Sequence, residues 1–161
     1  MEKNAEYYMR MALKEAEKAR DMDEVPVGCV IVKDDRIIAR AHNLREHKQL
    51  ATAHAELLAI QKACKKLDTW CLNECDLYVT LEPCMMCTGA IENARLHALY
   101  YGTADEKAGT VDSLVQIRTL PHLRAYPKEI HSGILKEECA AILSEFFRNK
   151  RKIQKNTVKK G

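Results

Sequence analysis

The chain has 161 residues, enough for one domain with a buried core, and its 47% hydrophobic and 30% charged content excludes a disordered or fibrous protein. Its charged first six residues lack the apolar stretch of a signal peptide, and no apolar run approaches the ~18 residues that cross a bilayer, so a cytoplasmic protein without a membrane partner is expected. The net charge of +3 is uneven: residues 148–161 hold seven Lys and Arg and no acid, which leaves −4 on residues 1–147 and points to a polyanionic partner near the C-terminal end.

In chain order, residues 3–20 read as an amphipathic helix, with Tyr8, Met11, Ala12, Ala16 and Ala19 recurring at three- and four-residue intervals. Residues 29–32 and 36–41 flank Lys33-Asp34-Asp35 as an antiparallel hairpin. Residues 43–51 are polar and predict a loop, after which Thr52 caps a helix running to Lys66. Residues 76–81 predict a strand that delivers the chain to Glu82-Pro83-Cys84, with Pro83 opening a helix that ends near Ala94. A strand over 97–101, a loop over 103–111 and a short helix over 112–119 follow. Pro121 and Pro127 punctuate an irregular stretch with at most a short strand near Glu129-Ile130. A last helix over 135–151 buries Cys139, Ile142, Leu143, Phe146 and Phe147 and leaves 152–161 as a flexible basic tail. With no repeat and no linker, this order predicts a single α/β domain of three layers, α/β/α, whose later strands are parallel through right-handed crossovers.

Two short stretches carry the chemistry. Thr52-Ala53-His54-Ala55-Glu56 is followed, 26 residues after Glu56, by Pro83-Cys84-Met85-Met86-Cys87. One imidazole and two thiols make a zinc ligand set with a fourth position left open, as catalytic zinc requires. Cys84 and Cys87 fall at a strand-to-helix junction, where the helix dipole and free N–H groups favour thiolate. His54 and Glu56, two apart, share no face within a helix and can address one point only from its first turn. Glu56 is thus the acid/base held beside the metal rather than on it. The odd count of seven cysteines supports no disulfide framework. Cys29, Cys64 and Cys139 read as small core residues, Cys71 and Cys75 as no second zinc site, and His42, His47, His97, His122 and His131 as surface or core histidines.

The His-x-Glu and Pro-Cys-x-x-Cys pair resembles the signature of the zinc-dependent nucleobase deaminases. Val25-Pro26-Val27-Gly28, Asn43, residues 77–84 and 86–90, Asp105 with Lys107 and Gly109, Ser113-Leu114, Gly133-Ile134-Leu135, Glu138-Cys139-Ala140 and Phe146-Phe147-Arg148 narrow the likeness to the tRNA-specific adenosine deaminases, over roughly residues 5–151. The resemblance implies a cytidine-deaminase-like domain over 1–151 with a mixed five-stranded sheet, one zinc per subunit on His54, Cys84 and Cys87, and Glu56 as proton carrier. It implies that Val27, Asn43, Ala55, Leu81 and Asp105 hold an adenine base splayed out of a tRNA anticodon stem-loop. Arg148, Lys150, Arg151 and Lys152 become candidate RNA contacts, and a homodimer is expected. Two positions depart from the family's pattern: Asp112 stands where Gly is usual, and Ala125-Tyr126 where an Asn-His pair is. The zinc motif alone equally suits a deaminase of a free base or nucleotide, such as guanine, cytosine or deoxycytidylate. An intact Glu56 disfavours a purely structural zinc module.

Overall fold

Asp34 and Asp35 both take left-handed φ, 50° and 59°, as in the type I′ turns whose twist matches the strands they join. They close the expected hairpin of β1 (Gly28–Lys33) and β2 (Arg36–His42). The computed structural model describes residues 3–120 and 126–160, so Pro121, His122 and Ala125 lie outside the described residues. On its other edge β1 pairs antiparallel with β3 (Asp76–Leu81), and β4 (Ala98–Thr103) and β5 (Glu129–Ser132) continue parallel, giving the order β2-β1-β3-β4-β5.

Side chains alternate across this sheet, as the pleat demands. Cys29, Ile31, Leu77, Val79, Leu99 and Tyr101 form one core with α3 (Ala55–Leu67) and α4 (Met85–Asn93). Val30, Val32, Tyr78 and Tyr100 form the other with α1 (Ala5–Asp21) and the start of α5 (Lys136–Lys160). The three-layer expectation holds. Tyr78 and Tyr100 stack at 4.3 Å between ring centroids across β3 and β4, and His131 on β5 extends the stack at 4.5 Å.

The Asn4 side chain caps α1 by accepting from the Tyr7 N–H at 3.0 Å, and the helix buries Ala12, Ala16 and Ala19 completely. These small residues let it lie directly on β1. A Cβ at Gly28 would stand 1.9 Å from the Ala12 carbonyl oxygen and 2.5 Å from the Ala16 nitrogen, so only glycine fits. On the same face, Glu15 is buried and pairs with Lys18 Nζ at 2.8 Å and His42 Nδ1 at 3.0 Å, tying α1 to the end of β2.

Three segments differ from expectation. The loop over 43–51 contains a helical turn, α2 (Arg45–Lys48). The helix expected over 112–119 is a run of turns with one 3-10 turn at Ile117–Thr119. The reason is that the N–H groups of Val111, Asp112 and Ser113 are all drawn to Glu82. The last helix does not end at Arg151 but continues to Lys160; no Gly or Pro interrupts residues 136–160, and Lys, Arg and Gln propagate a helix well without a core beneath them. Phe147, expected in the core, is 43% exposed.

Burial alone would raise the Glu15 carboxyl, but hydrogen bonds from Lys18 and His42 more than offset it and hold it below its ordinary value of 4.5. A carboxylate of lowered folded pKa stabilises the fold above its unfolded pKa and loses that contribution as pH falls through the folded one. Urea denaturation should show stability falling between about pH 5 and pH 3, and Glu15→Gln should flatten part of that fall; an unaltered pH slope in the variant would refute the assignment.

Candidate metal centre and substrate cleft

Two helix mouths meet at one point. α3 starts at Ala55 and α4 at Met85, so His54 and Cys84 are themselves the cap residues, in extended backbone with ψ of 151° and 177°. The cap expected at Thr52 and the helix start expected at Pro83 both shift by two residues, to His54 and Met85. Thr52 instead accepts the His54 N–H on its carbonyl at 2.8 Å. The shift strengthens the geometric point: a ligand at the cap projects past the helix end, and Cys87, three residues on, points from the first turn to the same place.

His54 Nδ1 lies 3.7 Å from Cys84 Sγ and 3.6 Å from Cys87 Sγ. Tetrahedral zinc, with Zn–N about 2.0 Å and Zn–S about 2.3 Å, sets such donor atoms about 3.5 Å apart. Both distances suit zinc, and the three donor atoms all lie within 4.8 Å of one another. Among the described residues these three form the one cluster of its kind, and Cys71 and Cys75 join none. Hydrogen bonds from the Cys87 thiol, and from His54 and the Cys87 backbone N–H, lower the Cys84 thiol towards thiolate against the effect of burial. Cys29, Cys75 and Cys139 are buried, Cys64 and Cys71 half-buried.

Glu56, in the first turn of α3, is 4% exposed and outside the donor cluster. Burial pushes its carboxyl up to about 6, against the pull of its own backbone N–H and of His54, and it is near enough to hydrogen-bond the Cys87 thiol. It is a carboxyl poised to hold or release a proton beside three metal donors.

The centre opens into a cleft of about 1000 Å³. Val27, Asn43, Ala55, Leu81 and Asp105 all line it, from five different segments of the chain. Asn43 is held by donating to the Val25 carbonyl at 3.4 Å and accepting the Arg45 N–H at 3.3 Å. Asp105 accepts the N–H groups of Lys107 and Ala108, each at 3.2 Å, which shapes the loop it stands on. Arg148 and Arg151 line the far wall beside Phe147. Lys150 does not: it turns to Asp23 and lies over the Phe146 ring. Lys152 is exposed beyond the cleft.

Sequence reasoning missed Arg45, on the near wall, and two buried carboxylates that brace the cleft. Glu82 Oε2 accepts the N–H groups of Val111, Asp112 and Ser113 at 3.0, 2.8 and 3.1 Å, and Oε1 takes Asp105 N–H at 3.2 Å and the Ser113 hydroxyl at 2.5 Å. A Cβ at Gly109 would stand 2.4 Å from the Glu82 carboxyl carbon, so the loop closes on it only through glycine. Asp112, the departure from the usual Gly, accepts the Tyr101 hydroxyl at 2.6 Å and adds a second anchor. Opposite, Glu24 accepts the N–H groups of Glu46 and His47 at 3.0 and 2.9 Å and caps α2. A lone buried Glu has no periodic signature; only the place of Glu82 in the Glu-Pro-Cys run distinguished it.

A mixed sheet whose helix mouths bring one imidazole and two thiols together beside a buried glutamate defines a nucleobase-deaminase class of protein. Comparison narrows the class: the sequence matches the MafB19-like deaminase family over residues 3–151. A tRNA-specific adenosine deaminase of Bacillus subtilis (strain 168) is 49% identical, covering 93% of this chain and 92% of its own, and one of Agrobacterium fabrum (strain C58 / ATCC 33970) is 46% identical over 90% and 95%. A structure from a study of A-to-I editing by tRNA:A34 deaminases at the wobble position superimposes with a TM-score of 0.81 at 45% identity, covering 85% of this chain and 99% of that one. The chain belongs to the MafB19-like deaminases and, within them, to the tRNA-specific adenosine deaminases.

Glu82→Gln turns an acceptor oxygen facing three N–H groups into a competing donor, or leaves them one acceptor fewer. It should cost about 3 kcal/mol of stability and speed hydrogen exchange at Val111, Asp112 and Ser113 in particular. Protection at those amides equal to the unsubstituted chain would show that the loop is held by something else.

Proposed function

We propose that the chain is a zinc-dependent hydrolase that converts adenosine to inosine at the wobble position of a tRNA anticodon and releases ammonia. The observation that carries this reading is the zinc-sized donor triangle of His54, Cys84 and Cys87 beside buried Glu56, at the floor of a cleft that ends in Arg148 and Arg151. Family membership supports adenosine in tRNA as the substrate, and the similarity to a tRNA:A34 deaminase supports the wobble position.

His54, Cys84 and Cys87 would hold a zinc ion, which would supply the acidity that makes a water nucleophilic near neutral pH. Glu56 accepts one proton of the attacking water and passes it to the ring nitrogen next to C6 as the water oxygen bonds to that carbon. It then takes the proton of the hydroxyl now on C6 and delivers it to the exocyclic amine; the C6–N bond breaks, ammonia leaves and the oxygen stays on the ring carbon as a carbonyl. Water and adenosine are thus consumed, inosine and ammonia formed, and Glu56 ends in its starting state. Its burial suits this shuttle, because bulk water cannot short-circuit the transfer. Val27, Ala55 and Leu81 pack around the base, Asn43 reads its edge, and Asp105 lies at the ribose. The base reaches them only when splayed out of its stack.

The cleft is open and bordered by the guanidinium groups of Arg45, Arg148 and Arg151, which favours a base presented on a polyanionic strand over a free base enclosed on all sides. A homodimer and a cytoplasmic location, where tRNA is found, complete the proposal.

Glu56→Gln should keep one zinc per chain by elemental analysis and lose roughly 10²- to 10⁴-fold in kcat, whereas Cys87→Ser should lose the metal. Sequencing tRNA before and after treatment should show adenosine-to-inosine change at the first anticodon base. Ammonia release from free guanine, cytosine or deoxycytidylate without change in tRNA would overturn the reading.

A further inference from the structure

Behind the cysteine ligands lies a buried polar cluster that the proton transfers do not use. Thr88, one residue past Cys87 on α4, and Thr110, in the loop that carries Asp105, are 5% and 4% exposed. The Thr110 hydroxyl donates to the Thr88 hydroxyl at 2.9 Å, and the Thr88 hydroxyl donates to the Pro83 carbonyl at 3.4 Å. Thr110 also places its backbone N–H on that carbonyl, at 3.0 Å. Beside it, Cys84 and Gly109 form an isolated antiparallel bridge. The Pro83 carbonyl precedes the cap of α4 and has no place in the helix ladder, whose first bond runs from the Thr88 N–H to the Cys84 carbonyl at 2.8 Å. A buried carbonyl in that position needs donors from outside the ladder. The two threonines supply them.

We propose that Thr88 and Thr110 are positioning residues for the metal ligand Cys84, and that their hydroxyl pair sets how tightly the centre holds zinc. This rests on the zinc reading of the centre and adds the parts that stand behind its ligands. The carbonyl they hold belongs to the planar Pro83–Cys84 peptide, which also carries the Cys84 nitrogen and Cα. Rotation of that plane swings the Cys84 side chain away from His54. On its C-terminal side Cys84 is fixed by the Thr88 N–H on its carbonyl; on its N-terminal side the threonine pair does the fixing. Cys87 is placed by α4 itself, and Thr88 rides on the same helical turn, so the clasp ties the two thiol ligands to each other. The hydroxyl chain ends in the loop that carries Asp105. Glu82 holds that loop at Val111, Asp112 and Ser113, and Thr110 holds it to the ligand turn, so the metal centre and the cleft wall share one anchor.

The test uses valine, which keeps the shape of threonine and removes the hydroxyl. Replacing both partners of a buried hydrogen bond by apolar groups of the same shape costs little stability, and the Thr110 N–H still serves the Pro83 carbonyl. The double variant Thr88→Val, Thr110→Val should therefore unfold near the urea midpoint of the unsubstituted protein. Its zinc affinity, measured by competition with a chelator, should nevertheless fall about tenfold to a hundredfold. In Thr88→Val alone the Thr110 hydroxyl, 3.5 Å from the Pro83 carbonyl, can turn to it, and the loss should be smaller. This single variant carries the test if the double one does not fold. The double variant Thr88→Ser, Thr110→Ser keeps both hydroxyls and should hold zinc as the unsubstituted protein does. Tyr8→Phe removes a hydroxyl bonded to the Asp35 carbonyl on the other face of the sheet, and it should leave zinc affinity unchanged whatever it does to stability. Unchanged zinc affinity in the valine variants, or an equal loss in the serine variant or in Tyr8→Phe, would overturn the positioning role. Failure of the unsubstituted protein to bind zinc would instead overturn the zinc reading, so the two failures are distinct.

Discussion

The site depends on one constraint: donor atoms thirty residues apart in the chain must stand within 3.7 Å of each other at the ends of two different helices. Neither helix can tilt without opening the triangle. What prevents the tilt is the core between them and the sheet. Ala55, Ala59 and Ala63 of α3 and Ile91 of α4 are buried against Cys29, Ile31, Leu77 and Val79. Small residues on α3 bring its axis close to β1, and the β1–β3 pairing sets where β3 releases the chain into Glu82-Pro83-Cys84. The metal chemistry is therefore a consequence of sheet register as much as of the ligands themselves.

Around that rigid centre the cleft walls are loops, and loops must be held by something other than a ladder of backbone bonds. Two buried carboxylates do this from opposite sides. Glu82 gathers four N–H groups and one hydroxyl from 105–113, and Glu24 caps α2 and so steadies Arg45 and the stretch that runs on to His54. Each is an acceptor-only group surrounded by donors, and those hydrogen bonds offset the cost of burying it. The consequence is a cleft whose floor is fixed by helices and whose rim loops are held by two buried glutamates.

What was legible in the sequence follows this division. The His54, Cys84 and Cys87 cluster, the hairpin and the parallel later strands could be read because spacing, period and polarity each carry them; a His two residues before a Glu has only one useful placement, at a helix mouth. The exact caps could not, because Thr52 and Pro83 are good cap-region residues and the choice between neighbours is made by metal-site geometry rather than propensity. The turns at 112–116 were unreadable for a similar reason: their N–H groups are bound by Glu82, thirty residues earlier. The resemblance located Val27, Asn43, Ala55, Leu81 and Asp105, which no periodicity would have singled out. It grouped Lys150 with Arg148 and Arg151, and the helical turn separates them, sending Lys150 to Asp23.

The last helix shows why its two halves had to be read by different rules. Up to Phe146 it is an ordinary core helix, with Cys139, Ile142 and Phe146 buried. From Phe147 onward it leaves the sheet, and its residues are chosen for what they face. Phe147 is exposed because the cleft begins there, not because packing failed. A helix that starts in the core and ends in solvent transmits the rigidity of one to the other: the positions of Arg148 and Arg151 relative to the zinc ligands are set by how Cys139 and Ile142 seat on the sheet. That coupling explains how a body carrying −4 over residues 1–147 can handle a polyanion at all. The positive charge of Arg148 and Arg151 is carried on a rod anchored in the core and placed at the mouth of the cleft, where it would act on the proposed polyanionic substrate locally rather than over the protein as a whole.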